Sequence, residues 1–219
     1  MTIDVISACY GGYDDIKPPV EQDRPVRRWI MVTDDPGLEA PGWEVVVERR
    51  PHLHPNVAAK VPKLRPDLYS NAQYTIWIDA SATILSPGMS NRVLNRLVTA
   101  WAMYPHPNRN DIGDEVLASR GLSKYDDLPM EEQVAHYYSD GYTRNAGLWA
   151  TGIIGRDHSD FWNRRGIELA NAWLTEIVRW GFQDQLSFAY LAVTWNWHVS
   201  PIGQDLWSSD IVHFGGHRV

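Results

Sequence analysis

The sequence predicts an α/β protein with a mostly parallel central sheet flanked by helices, and three observations lead there. Apolar runs of strand length at residues 3–9, 28–33 and 43–48 alternate with clusters of Gly, Pro and Asp that read as loops. The run 74–79 stops abruptly at Asp79 and is followed at 92–101 by Val93, Leu94, Leu97 and Trp101 at helical spacing, a strand-then-helix unit that favours parallel pairing. At 159–179, Trp162, Leu169, Trp173 and Ile177 mark one face of a long amphipathic helix.

The remaining elements fill this outline. Residues 64–71 suit a short helix ahead of the Asp79 strand, and 148–154 returns to strand character. Between them, 105–141 turns polar and acidic, with helices expected near 114–120 and 129–139; it reads as an insertion covering a site. A helix is expected at 184–194 and a last short strand within 211–219, running into Gly215-Gly216. No repeat, low-complexity tract or linker divides the 219 residues, so one domain is expected.

Composition narrows the function classes. A formal charge of −7 disfavours a general electrostatic grip on nucleic acid, which relies on clustered Lys and Arg. No run approaches the eighteen apolar residues of a membrane span, and the first strand follows Met1 with Asp4 inside it and no basic leader, so a soluble cytoplasmic protein is expected. The single cysteine, Cys9, sits in an apolar run and reads as a small buried hydrophobe. Eleven tryptophans could stack on sugars or bases, but most are expected to fill the core.

Ile76-Trp77-Ile78-Asp79-Ala80-Ser81 is the most informative segment, because open α/β sheets bind ligands where carboxylates emerge at strand ends. Asp79 is a candidate ligand for a hard divalent cation that would hold a diphosphate; the bland alternative is a cap on the following turn. In the tail, glycines at 215 and 216 would let backbone N–H groups approach phosphate oxygens, Arg218 would add charge, and imidazole is a common metal ligand. His52 and His54, flanked by prolines, read as loop residues.

Several segments, in order, resemble the glycosyltransferase-like family first catalogued as domain of unknown function 616, itself similar to glycosyltransferase family 8. They are Tyr10-Gly11-Gly12-Tyr13-Asp14, Thr33-Asp34-Asp35, Lys60-Val61-Pro62-Lys63-Leu64, Ile76-Trp77-Ile78-Asp79, Pro105-His106-Pro107-Asn108-Arg109 with Asp114-Glu115, Gly152-Ile153-Ile154-Gly155-Arg156 and Asp184-Gln185-Leu186-Ser187-Phe188. Each is moderately specific, and their order is the strength. The resemblance implies a glycosyltransferase A-type fold, with residues 1–85 as the nucleotide-sugar half and 86–219 as the acceptor half and metal-binding tail.

It also implies roles. Ala8, Tyr10 and Tyr13 would hold uracil and ribose; Lys60, Lys63, Asp79, Gly215, Gly216 and Arg218 would meet the rest of the donor. Asp79, Ser81 and His213 would ligate manganese, or magnesium, although Ser81 stands where family 8 has a second Asp, which removes a full charge. Asp184 and Gln185 would face the reacting carbon; Asp184 could instead cap its helix, Tyr10 could be core, and the lysines could be solvated.

The expected activity is metal-dependent transfer of a hexose or related unit from a UDP-sugar to an acceptor hydroxyl, with retention. Glycan, protein, small-molecule and nucleic-acid acceptors all stay open. The competing reading is a nucleotide-sugar or carbohydrate-binding module that kept the fold without turnover. Phosphoryl transfer or hydrolysis is disfavoured, since no Gly-x-x-x-x-Gly-Lys loop or serine elbow is present.

Overall fold

The computed structural model describes residues 1–215, and at residues 160–163 the backbone alone. Its centre is a seven-stranded sheet. β1 (Ile3–Cys9) pairs in parallel with β2 (Arg28–Thr33) on one side and β4 (Tyr74–Ile78) on the other, and β3 (Glu44–Val47) extends the sheet beyond β2, also in parallel. Beyond β4 come β7 (Trp149–Asp157), β6 (Trp101–Pro105) and the edge strand β8 (Val199–Pro201). β7 is antiparallel to both neighbours, while β6 and β8 pair in parallel. The expectation of a mostly parallel sheet flanked by helices holds, with β7 as the reversed strand.

Strand alternation builds two cores. On β4, Trp77 faces one layer with Ile6, Trp101, Trp173 and Phe188, whereas Ile76 and Ile78 face the other with Val5, Met89, Val93 and Tyr104. The first layer is covered by α1 (Pro55–Leu64), α5 (Asp160–Trp180) and α6 (Asp184–Thr194). The second is covered by α2 (Met89–Asn95) and a two-stranded sheet of β5 (Ala82–Ile84) and β9 (Val212–Phe214). Both layers draw residues from before and after position 85.

Three elements differ from the sequence reading for physical reasons. The expected helix at 64–71 lies earlier, as α1, and only a 3-10 turn follows at Pro66–Leu68. Pro55 takes the first helical position, where its missing N–H costs nothing, and the His54 ring accepts from the Asn56 N–H at 3.2 Å as N-cap. The expected helix at 92–101 is cut short after Asn95, and Trp101 opens strand β6, where its ring packs on Phe188 and Trp197. The edge strand β8 had no counterpart in the sequence reading; Pro201 is tolerated there because an edge leaves its missing donor unneeded.

The insertion folds as α3 (Ile112–Ser119) and α4 (Met130–Ser139), joined through a 3-10 turn at Ser123–Tyr125. Ile112, Val116, Met130 and Val134 share an apolar cluster with Leu186 and Ala189 of α6, which fixes the insertion against the helix that borders the site. The charged Asp4 inside β1 is fully buried and takes two bonds from Arg27 (3.0 and 2.7 Å) and one from Ser70 (2.6 Å). Among the described residues no helix is long and apolar enough to cross a membrane. The Trp162 side chain lies outside what is described.

Candidate active site

The chain fills the sheet from β1 outward to β3, then crosses to the other side of β1 for β4. That reversal makes the β1/β4 boundary a topological switch point, where a crevice opens at the carboxyl ends of parallel strands. A cavity of about 400 Å³ occupies it, within the range of small-ligand sites. Of the residues expected from sequence, Ala8, Tyr13, Lys60, Lys63, Asp79, Ser81, Asp184, Gln185 and Gly215 line this cavity.

Two expectations fall elsewhere. Tyr10 is 3% exposed and packs in the core with Ala58 and Leu64, so the alternative left open for it is the one observed. The turn that follows, with Gly11 and Gly12 at φ +67° and +65°, is tied to Asp34 through the Gly11 N–H (2.9 Å) and brings Tyr13 to the cavity instead. His213 is exposed at the middle of β9, where Val212 is buried and Phe214 lines the cavity; alternation turns the imidazole to the opposite face. Gly216 and Arg218 lie outside the described residues.

The cavity floor is a closed network of charges. Lys60 and Lys63, three positions apart on α1, share one helix face, and both ammonium groups lie 2.8 Å from Asp184 Oδ2. Asp184 opens α6 behind the N-cap Gln183, is not itself the cap, and accepts a further bond from the Thr151 hydroxyl at 2.9 Å. Lys63 Nζ also reaches Asp79 Oδ1 and Thr151 Oγ1, each at 3.3 Å, and the Trp77 indole donates to Asp79 Oδ1 at 2.6 Å.

Burial alone would raise the Asp184 pKa, but the two lysines outweigh it and hold the carboxyl below the usual carboxylate range. For Lys63, burial pulls the pKa down and the Asp184 and Asp79 charges more than restore it. For Lys60, burial prevails and the pKa is lowered. The floor therefore keeps an ionised carboxylate and a pinned ammonium in a place where neither would survive alone.

One wall comes from the insertion; its His106, Arg109 and Glu115 lie in segments that carry the sequence resemblance, while Tyr125 had no signal in the sequence. Glu115 accepts from Arg109 Nε at 2.5 Å and from Gln183 Nε2 at 2.9 Å, and the Tyr125 hydroxyl donates to Gln183 Oε1 at 3.2 Å. His106 Nδ1 accepts from the backbone N–H groups of Asn108 (3.3 Å) and Arg109 (3.1 Å), and Arg109 Nη2 lies 3.0 Å from the other ring nitrogen, Nε2. Burial, followed by the nearby Arg109 charge, lowers its pKa to about 4, so the imidazole is neutral. Burial raises the Glu115 pKa against the pull of Arg109.

The donor set for a divalent ion is thin. Asp79 offers Oδ2, its other oxygen being taken by Trp77 and Lys63, and Ser81 adds a hydroxyl. Among the described residues no group of three His, Cys, Asp or Glu side chains is arranged to hold a metal ion. Among the described residues, one free carboxylate oxygen beside a buried ammonium is a poor ligand set for a divalent ion.

Gly152, on β7 opposite Asp79, completes the fit: a Cβ there would stand 2.8 Å from the Phe214 ring and 3.5 Å from Asp79 Oδ2. Comparison with known proteins agrees with this architecture. The family model of the TOD1/MUCI70 glycosyltransferase-like domain matches residues 31–201, from β2 through β8. The "Probable hexosyltransferase MUCI70" of Arabidopsis thaliana is 28% identical over 228 residues, covering 90% of this chain and 39% of that protein. The chain thus spans about two fifths of its relative's length. With the match covering most of the chain and reaching every residue of the charged cavity floor, this protein belongs to the TOD1/MUCI70 glycosyltransferase-like domain family.

Proposed function

We propose that the protein is a glycosyltransferase that moves a hexose or related unit from a nucleoside-diphosphate sugar, UDP-linked, to an acceptor hydroxyl. The observation behind this reading is the floor of the switch-point cavity: a buried carboxylate, Asp184, clamped between Lys60 and Lys63 and adjoining Asp79. Membership of a glycosyltransferase-like family and likeness to a hexosyltransferase support it. So does the cavity's size, which suits a nucleotide sugar.

In this reading Ala8 and Tyr13, at the end of β1, hold the nucleoside, and Lys60 meets the diphosphate through charge-assisted hydrogen bonds. The sugar lies over Asp184 and Gln185. The acceptor oxygen attacks the anomeric carbon as the bond from that carbon to the diphosphate oxygen breaks, and the hydroxyl proton passes to the departing phosphate. Attack on the face the diphosphate leaves retains configuration, in keeping with the resemblance to family 8, and needs no separate base. Asp184, ionised at neutral pH, faces the positive charge that develops on the sugar ring.

The test is calorimetry of the protein against a panel of nucleotide sugars, with released nucleotide diphosphate measured in the presence of candidate acceptors. Saturable binding with turnover supports transfer. Binding of free monosaccharides without any nucleotide dependence would sink the reading.

A further inference from the structure

The two cations of the floor are not equivalent. Lys63 is 1% exposed and its three N–H donors meet three acceptors, Asp184 Oδ2, Asp79 Oδ1 and Thr151 Oγ1. It has nothing left for a ligand. Lys60 is 17% exposed and is bound to Asp184 alone among the described residues, which leaves two donors directed at the cavity it lines. Lys124 lines the same cavity with its ammonium over the Tyr125 ring at 4.7 Å and makes no ion pair among the described residues.

A divalent ion at Asp79 would have to sit beside the buried Lys63 ammonium, like charge against like charge. Among the described residues it would find one free carboxylate oxygen and the Ser81 hydroxyl, while His213 faces away. The ammonium already answers the charge of both carboxylates from within the fold.

We propose that Lys63 is the resident cation of this site, standing between Asp79 and Asp184 as a divalent ion would, and that the free donors of Lys60 take the diphosphate, so that nucleotide binding needs no metal. This rests on the reading of the cavity as a nucleotide-sugar site. It also gives Lys60-Val61-Pro62-Lys63 a division of labour: the outer lysine serves the ligand and the inner one serves the protein.

The test uses the full chain and three probes, UDP, GDP and CDP, titrated calorimetrically in chelator and again in manganese, together with a titration of manganese alone. The expected result is a nucleotide affinity that agrees within about threefold between the two conditions, and no saturable manganese binding below millimolar concentration. Lys60→Ala should lose at least tenfold in nucleotide affinity in both conditions. Lys63→Ala uncovers the carboxylate pair and should gain saturable manganese binding at least tenfold tighter than wild type, a change that loss of a merely structural contact would not produce. Should that variant fail to fold, Lys63→Gln and the wild-type titrations decide. Nucleotide binding that appears only with manganese overturns this inference and leaves the transferase reading standing. No binding of any of the three nucleotides in either condition overturns both.

Discussion

The floor and the insertion wall of the cavity are both built from ion pairs, but they are assembled in opposite ways. The floor joins Lys60 to Asp184 across 124 positions and Thr151 to Asp184 across 33, and its carboxylate is buried between α1, β7 and α6 where they border the cavity. The charged contacts of the wall are local: Arg109 meets Glu115 six positions away and His106 three away, at the entry to α3, and Arg109 stays 28% exposed, with Gln183 tying Glu115 to the start of α6 across 68 positions. A buried, long-range charge cluster depends on the whole fold being in place. A local one can adjust to a ligand without disturbing the sheet. In the proposed reaction the floor would serve the diphosphate and the sugar, and the wall would adapt to the acceptor.

The sharpest way to break this contrast is at Asp184. Asp184→Asn leaves two buried ammonium groups facing a neutral amide, and removing one partner of a buried charge pair typically costs about 3–5 kcal/mol of stability. Turnover should fall at least about tenfold, or ~1.4 kcal/mol, because the negative charge opposite the sugar is gone. UDP affinity should hold or tighten, since Lys60 loses its competing partner. Chemical denaturation, calorimetry and released-nucleotide assays on the same sample check all three. A parallel fall of UDP affinity and turnover in the folded fraction would place Asp184 in ground-state binding instead.

How far this site was legible in the sequence follows the same division. Asp79 stood out because an apolar run ended on it, and Asp184 because it opened an apolar helix; both are local signals and both side chains reach the cavity. The pairing of Lys63 with Asp184 is a tertiary contact, and no local pattern encodes it. α1 was hidden because Pro55 and Pro62 interrupt the helical pattern, and the prolines around His54 suggested a loop, although Pro55 sits at the first helical position and Pro62 in the last turn. Trp101 continued a helical spacing by coincidence, while its β-forming aromatic character pointed to the strand it opens. The reversed direction of β7 left no mark in its own apolar pattern. For the wall, the run His106 to Glu115 carried the needed residue types, but nothing in the sequence showed that Gln183 would reach Glu115 and close it.

The wall should show itself in acid before the floor does. A histidine whose pKa falls from 6.5 unfolded to about 4 folded binds fewer protons when folded, so its stability contribution is complete above pH 6.5 and is lost as pH falls through about 4. By pH 5 the loss is about 2 kcal/mol by linkage. Glu115, facing the ring at 3.6 Å, has a raised pKa and works the other way as it takes up a proton. The comparison that isolates the ring is therefore wild type against His106→Gln, melted at pH 7 and pH 5. The variant should show the smaller pH dependence, and equal slopes would count against a buried neutral imidazole.

A milder perturbation of the wall is Glu115→Gln, which keeps an acceptor for Gln183 but removes the charge opposite Arg109. Since Arg109 is partly solvated, the expected stability loss is about 1–2 kcal/mol, below that for Asp184→Asn. UDP affinity should stay within about threefold, or ~0.7 kcal/mol, if the wall serves the acceptor side. A loss of UDP affinity as large as that of Lys60→Ala would erase the distinction between the two regions.

The smallest effect expected is at Lys124, and it sharpens the comparison because Lys124 and Lys60 carry the same charge into the same cavity. Lys60 is anchored on a core helix against Asp184, so its position is set before a ligand arrives. Lys124 is exposed, sits in the 3-10 turn of the insertion and is steadied by the face of Tyr125. An exposed ammonium must give up side-chain freedom to meet a phosphate and is screened by salt, which limits its contribution to about 0.2–1 kcal/mol. Lys124→Ala should therefore weaken UDP by no more than about fivefold, with the difference from wild type shrinking as salt is raised. The loss in Lys60→Ala should persist at high salt, because its site is shielded from the ions that screen the surface. Calorimetric titrations of both variants at low and high salt make the comparison directly; equal salt sensitivity would mean that the floor is as open to solvent as the wall.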